Sequence, residues 1–216
     1  MPRPFNPLEF FLVIGIAFGQ FAVRSVQTLL AAAAGGPAAD AIFDQTHLLH
    51  VMGYELTVLP LLLALLWRGG WGLQHFGGRP QWRDIGRAAV LFVASYVVFY
   101  LSGLAAALVS AATAEPPTPP SLALVSAVSL VNGTFEELFV CGYVISSLLG
   151  RFGPIAAMNV SSAIRVSYHV YQGPFAFVWV AMTGLLFGYC YLRWRRIWPL
   201  ACAHVLLDFV AFGARA

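Results

Sequence analysis

The stretch Leu61-Leu62-Leu63-Ala64-Leu65-Leu66 is apolar at every position. A transmembrane β-strand would alternate apolar and polar side chains, so this unbroken run predicts a helix that is apolar on all of its faces. Two longer uncharged stretches, residues 88–110 and 170–192, reach the ~20 residues that a helix needs to cross a bilayer. These stretches together predict an all-α membrane protein.

The composition of the whole chain agrees with this prediction. Of the 216 residues, 60% are apolar and 10% are charged, whereas a soluble domain has about 45–50% apolar and about 25% charged residues. The mean hydropathy of +0.78 is too high for a disordered chain. The basic residues are also too sparse for a nucleic-acid-binding face, so no nucleic-acid partner is expected.

The apolar runs predict one integral membrane domain over residues 1–216, built as a polytopic helical bundle of about seven spans. The predicted spans cover residues 8–30, 47–67, 88–111, 121–149, 154–171, 174–192 and 197–213. A short turn over residues 149–154 would make the fourth and fifth spans antiparallel neighbours. A cleaved signal peptide is not favoured, because no convincing cleavage site follows the first run closely.

The basic residues are distributed unequally between the two sides of this predicted bundle. All 12 of them are arginines. The second, fourth and sixth connections contain Arg68, Arg79, Arg83, Arg87, Arg151, Arg193, Arg195 and Arg196, and the first, third and fifth contain none. Because short connections rich in arginine stay on the cytoplasmic side, we expect a multi-pass protein of a bacterial cytoplasmic membrane with its N-terminus in the cytoplasm.

Two adjacent acids, Glu136 and Glu137, lie inside the fourth predicted span. An ionised acid near the bilayer centre costs about 2.5–3.5 kcal/mol on insertion scales, so such a residue usually marks a functional site. A structural alternative stays open, because Thr134 followed three residues later by Glu137 is a capping-box pattern, and Asn132-Gly133 could break the helix before it. We expect Asn132 to support the site.

Two further polar clusters follow in the seventh and fifth predicted spans. His204 and Asp208 are four residues apart, which places an imidazole and a carboxylate on one face of a helix. Arg165 and His169 have the same spacing. A buried arginine needs an anionic partner, and antiparallel fourth and fifth spans would offer it the two adjacent glutamates.

Another intramembrane acid, Glu55, lies in the second predicted span. His47 and His50 precede it, near the outer end of the same span. The three residues form a candidate second polar site.

The order of these motifs resembles the CPBP family of intramembrane proteases, which includes CAAX prenyl proteases, bacteriocin-processing enzymes and Abi proteins. The resemblance covers residues 121–212 and consists of Glu-Glu, a His in the next span, and His-x-x-x-Asp in the last span. The first family motif is Glu-Glu-x-x-x-Arg, but this chain has Cys141 in place of the arginine. An aromatic residue normally stands four positions before the His, and here that residue is Arg165. We therefore hypothesise that Arg165 supplies, from a neighbouring helix, the cation that Cys141 does not.

The resemblance implies a glutamic-type intramembrane endopeptidase that uses no metal or other cofactor and hydrolyses a peptide bond of a membrane-associated or prenylated substrate. In this interpretation Glu136 and His169 activate a water, and Glu137 holds the helix geometry. His204 and Asp208 position donors for the oxyanion. The residues expected to support the site are Arg165, Cys141 and Asn132. The expected partners are a peptide or protein substrate in the membrane and the bilayer itself, and the oligomeric state stays open.

Two other functions are compatible with these residues. His169, His204 and Glu136 could together bind zinc, although the chain has no HExxH helix. A non-catalytic membrane scaffold or immunity protein of the same fold is also compatible, because Cys141 departs from the family motif.

Overall fold

The structure is a computed structural model that describes residues 5–34, 45–107 and 120–213. Every regular element in these three segments is helical, which confirms the predicted all-α class. The helices are α1 (Pro7–Ala33), α2 (Gln45–Arg68), α3 (Trp82–Ala107), α4 (Leu122–Glu136), α5 (Ser146–Ser167), α6 (Pro174–Trp194) and α7 (Trp198–Gly213). A π-helix, Glu137–Ile145, joins α4 directly to α5, and two short 3₁₀ turns cover Leu73–Phe76 and Val170–Gln172.

Four stretches of the described chain are long and apolar enough to cross a bilayer. They are Pro7–Ala33, Gln45–Arg68, Trp82–Gly103 and Leu122–Ser167, and the last contains most of the fourth and fifth predicted spans. The protein is therefore a helical membrane bundle, while the count of seven spans stays a prediction. The predicted end of the third span, at residue 111, lies outside the described residues.

The chain reverses its direction at Gly153, inside the element named α5. The backbone there has φ 79° and ψ 171°, a combination that is open essentially only to glycine. Across this turn, the hydroxyl of Ser161 donates a hydrogen bond to the carbonyl oxygen of Val140 at 2.7 Å. The segments before and after Gly153 are thus antiparallel neighbours, as the short turn predicted.

Helices α4 and α7 approach each other closely at Gly133. A Cβ atom at this position would lie 2.8 Å from the backbone nitrogen of Val205, so only glycine permits this approach. Helix α4 runs through Thr134 without a break and continues into the π-helix at Glu137. The capping-box interpretation is therefore wrong, because the helix neither starts nor kinks there and Gly133 serves close packing instead.

Helix α5 ends at Ser167, before the predicted end of the fifth span at residue 171. Tyr168 has left the helical conformation, and the backbone N–H of Tyr171 donates to the Ser25 hydroxyl of α1 at 3.1 Å. The prediction that His169 continues the helix of Arg165 is wrong. His169 lies instead in the turn that leads to α6.

The connection between α6 and α7 is tied to the start of α3 by Arg196. Its Nε and Nη2 atoms donate to the two carboxylate oxygens of Asp84, both at 2.7 Å. Its Nη1 atom donates to the carbonyl oxygen of Gly77 at 2.8 Å. The hydrogen bonds to Asp84 raise the pKa of Arg196. These contacts hold one end of the bundle together through a permanent cation.

Candidate active site

Arg165, close to the end of α5, lies between the two adjacent glutamates where α4 meets the π-helix. Its Nη2 atom is 2.5 Å from Oε1 of Glu137, and its Nη1 atom is 3.3 Å from Oε2 of Glu136. All three side chains are buried. Because a buried charge is retained only where it is paired and hydrogen-bonded, these residues act as one ionic cluster. The arginine and the glutamates are thus brought together across the turn at Gly153.

His204 of α7 joins this cluster through both of its ring nitrogens. Its Nδ1 atom lies 2.7 Å from Oε1 of Glu137, and since a carboxylate only accepts, the Nδ1–H group donates. Its Nε2 atom faces Oδ1 of Asp208 at 3.4 Å and Oε2 of Glu136 at 3.9 Å. Asp208 also accepts a hydrogen bond, at 2.8 Å, from the side-chain amide of Asn132. The close approach of α4 and α7 therefore places His204 and Asp208 beside the α4 residues of the site.

Cys141 lies in the π-helix, on the same side as Glu137. Its Sγ atom is 3.9 Å from Nη2 of Arg165 and 3.9 Å from the hydroxyl of Ser161. π-helices are rare and occur frequently at functional sites. Here the π-helix places the thiol and the Glu137 carboxylate against the same nitrogen of the guanidinium group.

Tyr168 is a site residue that the sequence analysis missed. Its hydroxyl donates to Oε2 of Glu136 at 2.7 Å, and its ring stacks on Phe18 of α1 with a centroid distance of 4.8 Å. Its position next to His169 could have drawn attention to it. An aromatic hydroxyl in an apolar span needs a hydrogen-bond partner, and the nearest motif provides one.

Phe187 of α6 was also missed, and the sequence carries no signal for it. The guanidinium carbon of Arg165 lies 5.6 Å from the centre of its ring, and the ring meets His204 edge-on at 6.2 Å. Phe187 is one apolar residue among many in a continuous apolar run. Its role in covering the ionic cluster follows from packing alone.

His169 belongs to the same region but does not touch Glu136. Its Nδ1–H group donates to the backbone carbonyl of Arg165 at 2.9 Å, which leaves Nε2 free to accept. In the three described segments, no hydrogen bond or ion pair joins His169 directly to Glu136. A water molecule or a substrate group between them would be needed to couple the two side chains.

A cavity of about 760 Å³ adjoins the cluster. Its polar wall includes Asn132, Glu136, Arg165, His169, His204 and Asp208. Its volume falls within the roughly 300–1,000 Å³ of typical ligand pockets. Glu137 and Cys141 are not part of the wall and lie behind it. The two adjacent glutamates therefore have different surroundings, because Glu136 faces the cavity and Glu137 is enclosed by protein.

Glu55 of α2 lines the same cavity, so it does not form a separate second site. Only 1% of its surface is exposed, and its Oε2 atom has no hydrogen-bond partner. The ionisable groups that line the cavity with it include Glu136, His204 and Asp208. Glu55 thus adds a further carboxyl group to the cavity wall, and one of its oxygens has no hydrogen-bond partner.

The cluster is arranged for ion pairing rather than for metal coordination. Within the described segments, no three His, Cys, Asp or Glu side chains are grouped so that they could hold one metal ion. Oε2 of Glu136 already accepts from Tyr168 and from the guanidinium of Arg165. A permanent cation at this distance disfavours the binding of a divalent cation at the same carboxylate.

Comparison with protein families gives a match over residues 118–210, to the family described as type II CAAX prenyl endopeptidase Rce1-like. The match covers somewhat less than half of the chain and contains all three polar motifs. The similarity to the CAAX protease group that these motifs indicated is therefore confirmed. Comparison with curated proteins and with solved structures gives no match.

Proposed function

We propose that this protein is a glutamic-type intramembrane endopeptidase in which Glu136 activates a water against a peptide bond bound in the cavity. The family similarity supports a CAAX-type intramembrane protease. The observation that carries the proposal is the position of Glu136, which is held by the ionic cluster on one side and faces the cavity on the other. A buried, hydrogen-bonded carboxylate in a cavity is a suitable general base.

The proposed reaction is addition of water followed by cleavage of the C–N bond. Glu136 removes a proton from the water as its oxygen attacks the scissile carbonyl carbon. The carbonyl oxygen becomes the oxyanion of a tetrahedral intermediate. Glu136 then returns the proton to the amide nitrogen, the C–N bond breaks, and a carboxylic acid and an amine are released.

His204 is the proposed stabiliser of the oxyanion. Its Nδ1–H group is occupied by Glu137, and its Nε2 atom lies between the carboxylates of Glu136 and Asp208. Two neighbouring carboxylates favour the imidazolium form, which carries a proton on Nε2 at the cavity wall. A donor positioned in advance in a site shielded from water contributes strongly to stabilisation of the transition state.

His169 is proposed to assist Glu136 through a shared water. The backbone carbonyl of Arg165 accepts a hydrogen bond from Nδ1, so the ring proton is on Nδ1. The Nε2 atom can therefore accept a proton or a hydrogen bond at the cavity. Such a water would lie between two acceptors. This arrangement would orient one of its lone pairs towards the substrate carbonyl.

The proposed substrate is a membrane-associated or prenylated peptide. The cavity is bordered by aromatic and aliphatic side chains such as Phe18, Trp179, Leu48 and Val128. An apolar wall with a few polar groups favours a substrate that carries an apolar segment or a lipid next to the scissile bond.

The test is cleavage of a farnesylated fluorogenic peptide with a CAAX-type end by the full chain in lipid nanodiscs. We expect Glu136→Gln to lower kcat/KM by about 10²–10⁴-fold, the usual contribution of a general base. The matched control is Glu9→Gln, since Glu9 accepts hydrogen bonds from Trp71 and Tyr143 away from the cavity. Equal rates for wild type and Glu136→Gln would refute the mechanism. A wild-type protein that cleaves neither this peptide nor a bacteriocin leader peptide would favour the scaffold function.

A further inference from the structure

The cavity takes its lining from the parts of the helices that lie towards one end of the bundle. It is bordered by the C-terminal parts of α1, α3, α5 and α7 and by the N-terminal parts of α2 and α6. It is also bordered by Val128, Asn132 and Glu136 of α4, which lie in the first half of the continuous helix that α4 forms with the π-helix and the start of α5. Because consecutive helices run in opposite directions, all of these parts lie at one end of the bundle. The cavity therefore extends from the ionic cluster towards that end.

The opposite end of the bundle carries the arginine-rich connections. Eight of the 12 arginines lie there, in the connection from α2 to α3, before the turn at Gly153, and around the connection from α6 to α7. The contacts of Arg196 with Asp84 and Gly77 hold two of these connections together. Short connections rich in arginine remain in the cytoplasm, so we expect this end to face the cytoplasm.

A packed core separates the floor of the cavity from the arginine-rich end. Between Glu136 and Gly153 the chain contains about 17 residues of helix, a distance of roughly 20–25 Å. Phe139, Tyr143 and Ile145 of this segment are completely buried. This packed segment separates the floor of the cavity from the arginine-rich end.

From this geometry we infer that the cavity receives its substrate from the extracytoplasmic side of the membrane. The statement about the substrate rests on the proposed peptidase function. It adds the class of that substrate: peptide segments that have been translocated, or that are exposed at the outer leaflet, rather than peptides in the cytoplasm. Export of the substrate chain must then precede its cleavage.

The orientation can be tested without any catalytic activity by a matched pair of glutamine substitutions. Gln27 lies at the cavity and Gln81 at the arginine-rich end, and both are exposed. Gln27→Cys and Gln81→Cys are made separately in a Cys202→Ser background, because Cys202 is exposed. The reagent is a maleimide that does not cross membranes, applied to intact bacterial spheroplasts and to lysed ones. Thr28→Cys, also at the cavity, serves as a second probe of that end.

We expect Gln27→Cys to react fully in intact spheroplasts and Gln81→Cys to react only after lysis, with at least a tenfold difference in labelling. The reverse pattern would overturn the inference. Labelling of both positions in intact spheroplasts would also overturn it, because the protein would then have no single orientation.

Substrate access is tested with a farnesylated peptide that bears a sulfonated dye, which keeps it in the leaflet to which it is added. We expect cleavage when the peptide is added to spheroplasts and at least tenfold slower cleavage with inverted vesicles, with Glu136→Gln as the inactive control. Faster cleavage by inverted vesicles would refute entry from outside. No cleavage in either preparation would count against the proposed function, whereas the cysteine labelling would still decide the orientation of the cavity.

Discussion

The guanidinium Nη2 of Arg165 lies 3.9 Å from the sulfur of Cys141, although the two residues are 24 positions apart and lie on different helices. In the CPBP motif an arginine occupies the position of Cys141, and an aromatic residue occupies that of Arg165. The small thiol leaves room beside Glu137, and the guanidinium from α5 fills that room. We therefore propose that the departure from the motif relocates the cation of the site.

This relocation predicts that the family arrangement can be restored by a double substitution. Arg165→Phe alone leaves two buried carboxylates without their cation, which should cost about 3–5 kcal/mol of unfolding free energy. Cys141→Arg alone adds a second buried cation and should also be destabilising. The double variant should recover a large part of the loss, as measured by thermal unfolding in detergent. If the loss of unfolding free energy in the double variant equals the sum of the two single losses, the hypothesis that the cation has moved from position 141 to position 165 is contradicted.

Substitution of Glu137 is expected mainly to lower stability, and substitution of Glu136 is expected mainly to lower activity. Glu137 is enclosed by protein and holds both Arg165 and His204, so Glu137→Gln should lower the unfolding temperature by about 5–10 °C. Glu136 lies at the cavity wall, and Glu136→Gln should cost less stability while removing peptide cleavage. Differential scanning fluorimetry and the peptide assay, run on the same samples, check both effects. Equal losses of stability in the two variants would refute this division of roles.

Gly133 should tolerate no larger side chain, because a Cβ atom there would meet the backbone of Val205 at 2.8 Å. Gly133→Ala should force α4 and α7 apart, cost about 1–3 kcal/mol and reduce activity by moving Glu136 away from His204. The control is Gly53→Ala in α2, where a Cβ atom meets nothing within 4 Å. That variant should be neutral or slightly stabilising in thermal unfolding. A stable, active Gly133→Ala protein would show that the close approach is not required.

The buried carboxyl group of Glu55 is expected to destabilise the folded protein and to contribute to substrate binding in the cavity. Its Oε2 atom is buried without a partner, and such a group costs about 1–3 kcal/mol. Glu55→Met, of similar volume, should therefore raise the unfolding temperature. The same substitution should raise KM for the peptide, because Glu55 lines the cavity. A lower unfolding temperature would indicate that the carboxyl group is satisfied in the folded protein.

Activity should not respond to metal chelators. The oxygen of Glu136 that faces His204 already accepts hydrogen bonds from Arg165 and Tyr168, so a permanent cation occupies the place beside it that a metal ion would need. Incubation of the purified protein with EDTA or 1,10-phenanthroline should leave kcat/KM within twofold of its starting value. A loss that is restored by added zinc would instead establish the zinc-dependent alternative.

Several features of the site are properties of single residues or segments, and these could be predicted from the chain alone. The apolar runs and the arginine asymmetry reflect how each segment partitions between water and lipid. Glu136, Glu137 and His204 were identifiable because a charged group inside an apolar run is costly and is seldom retained without a use. The turn near Gly153 followed from the shortness of the connection.

The contacts within the site depend instead on how the helices rotate and slide against one another. Lipid tails and leucine side chains are about equally apolar, so hydropathy says little about which face of a helix meets a neighbour. For that reason the hydroxyl of Tyr168 on Glu136, the ring of Phe187 over Arg165, and Glu55 in the same cavity become visible only once the helices are packed. The end of α5 before His169 likewise depends on a contact with α1, because the Ser25 hydroxyl accepts a hydrogen bond from the backbone N–H of Tyr171.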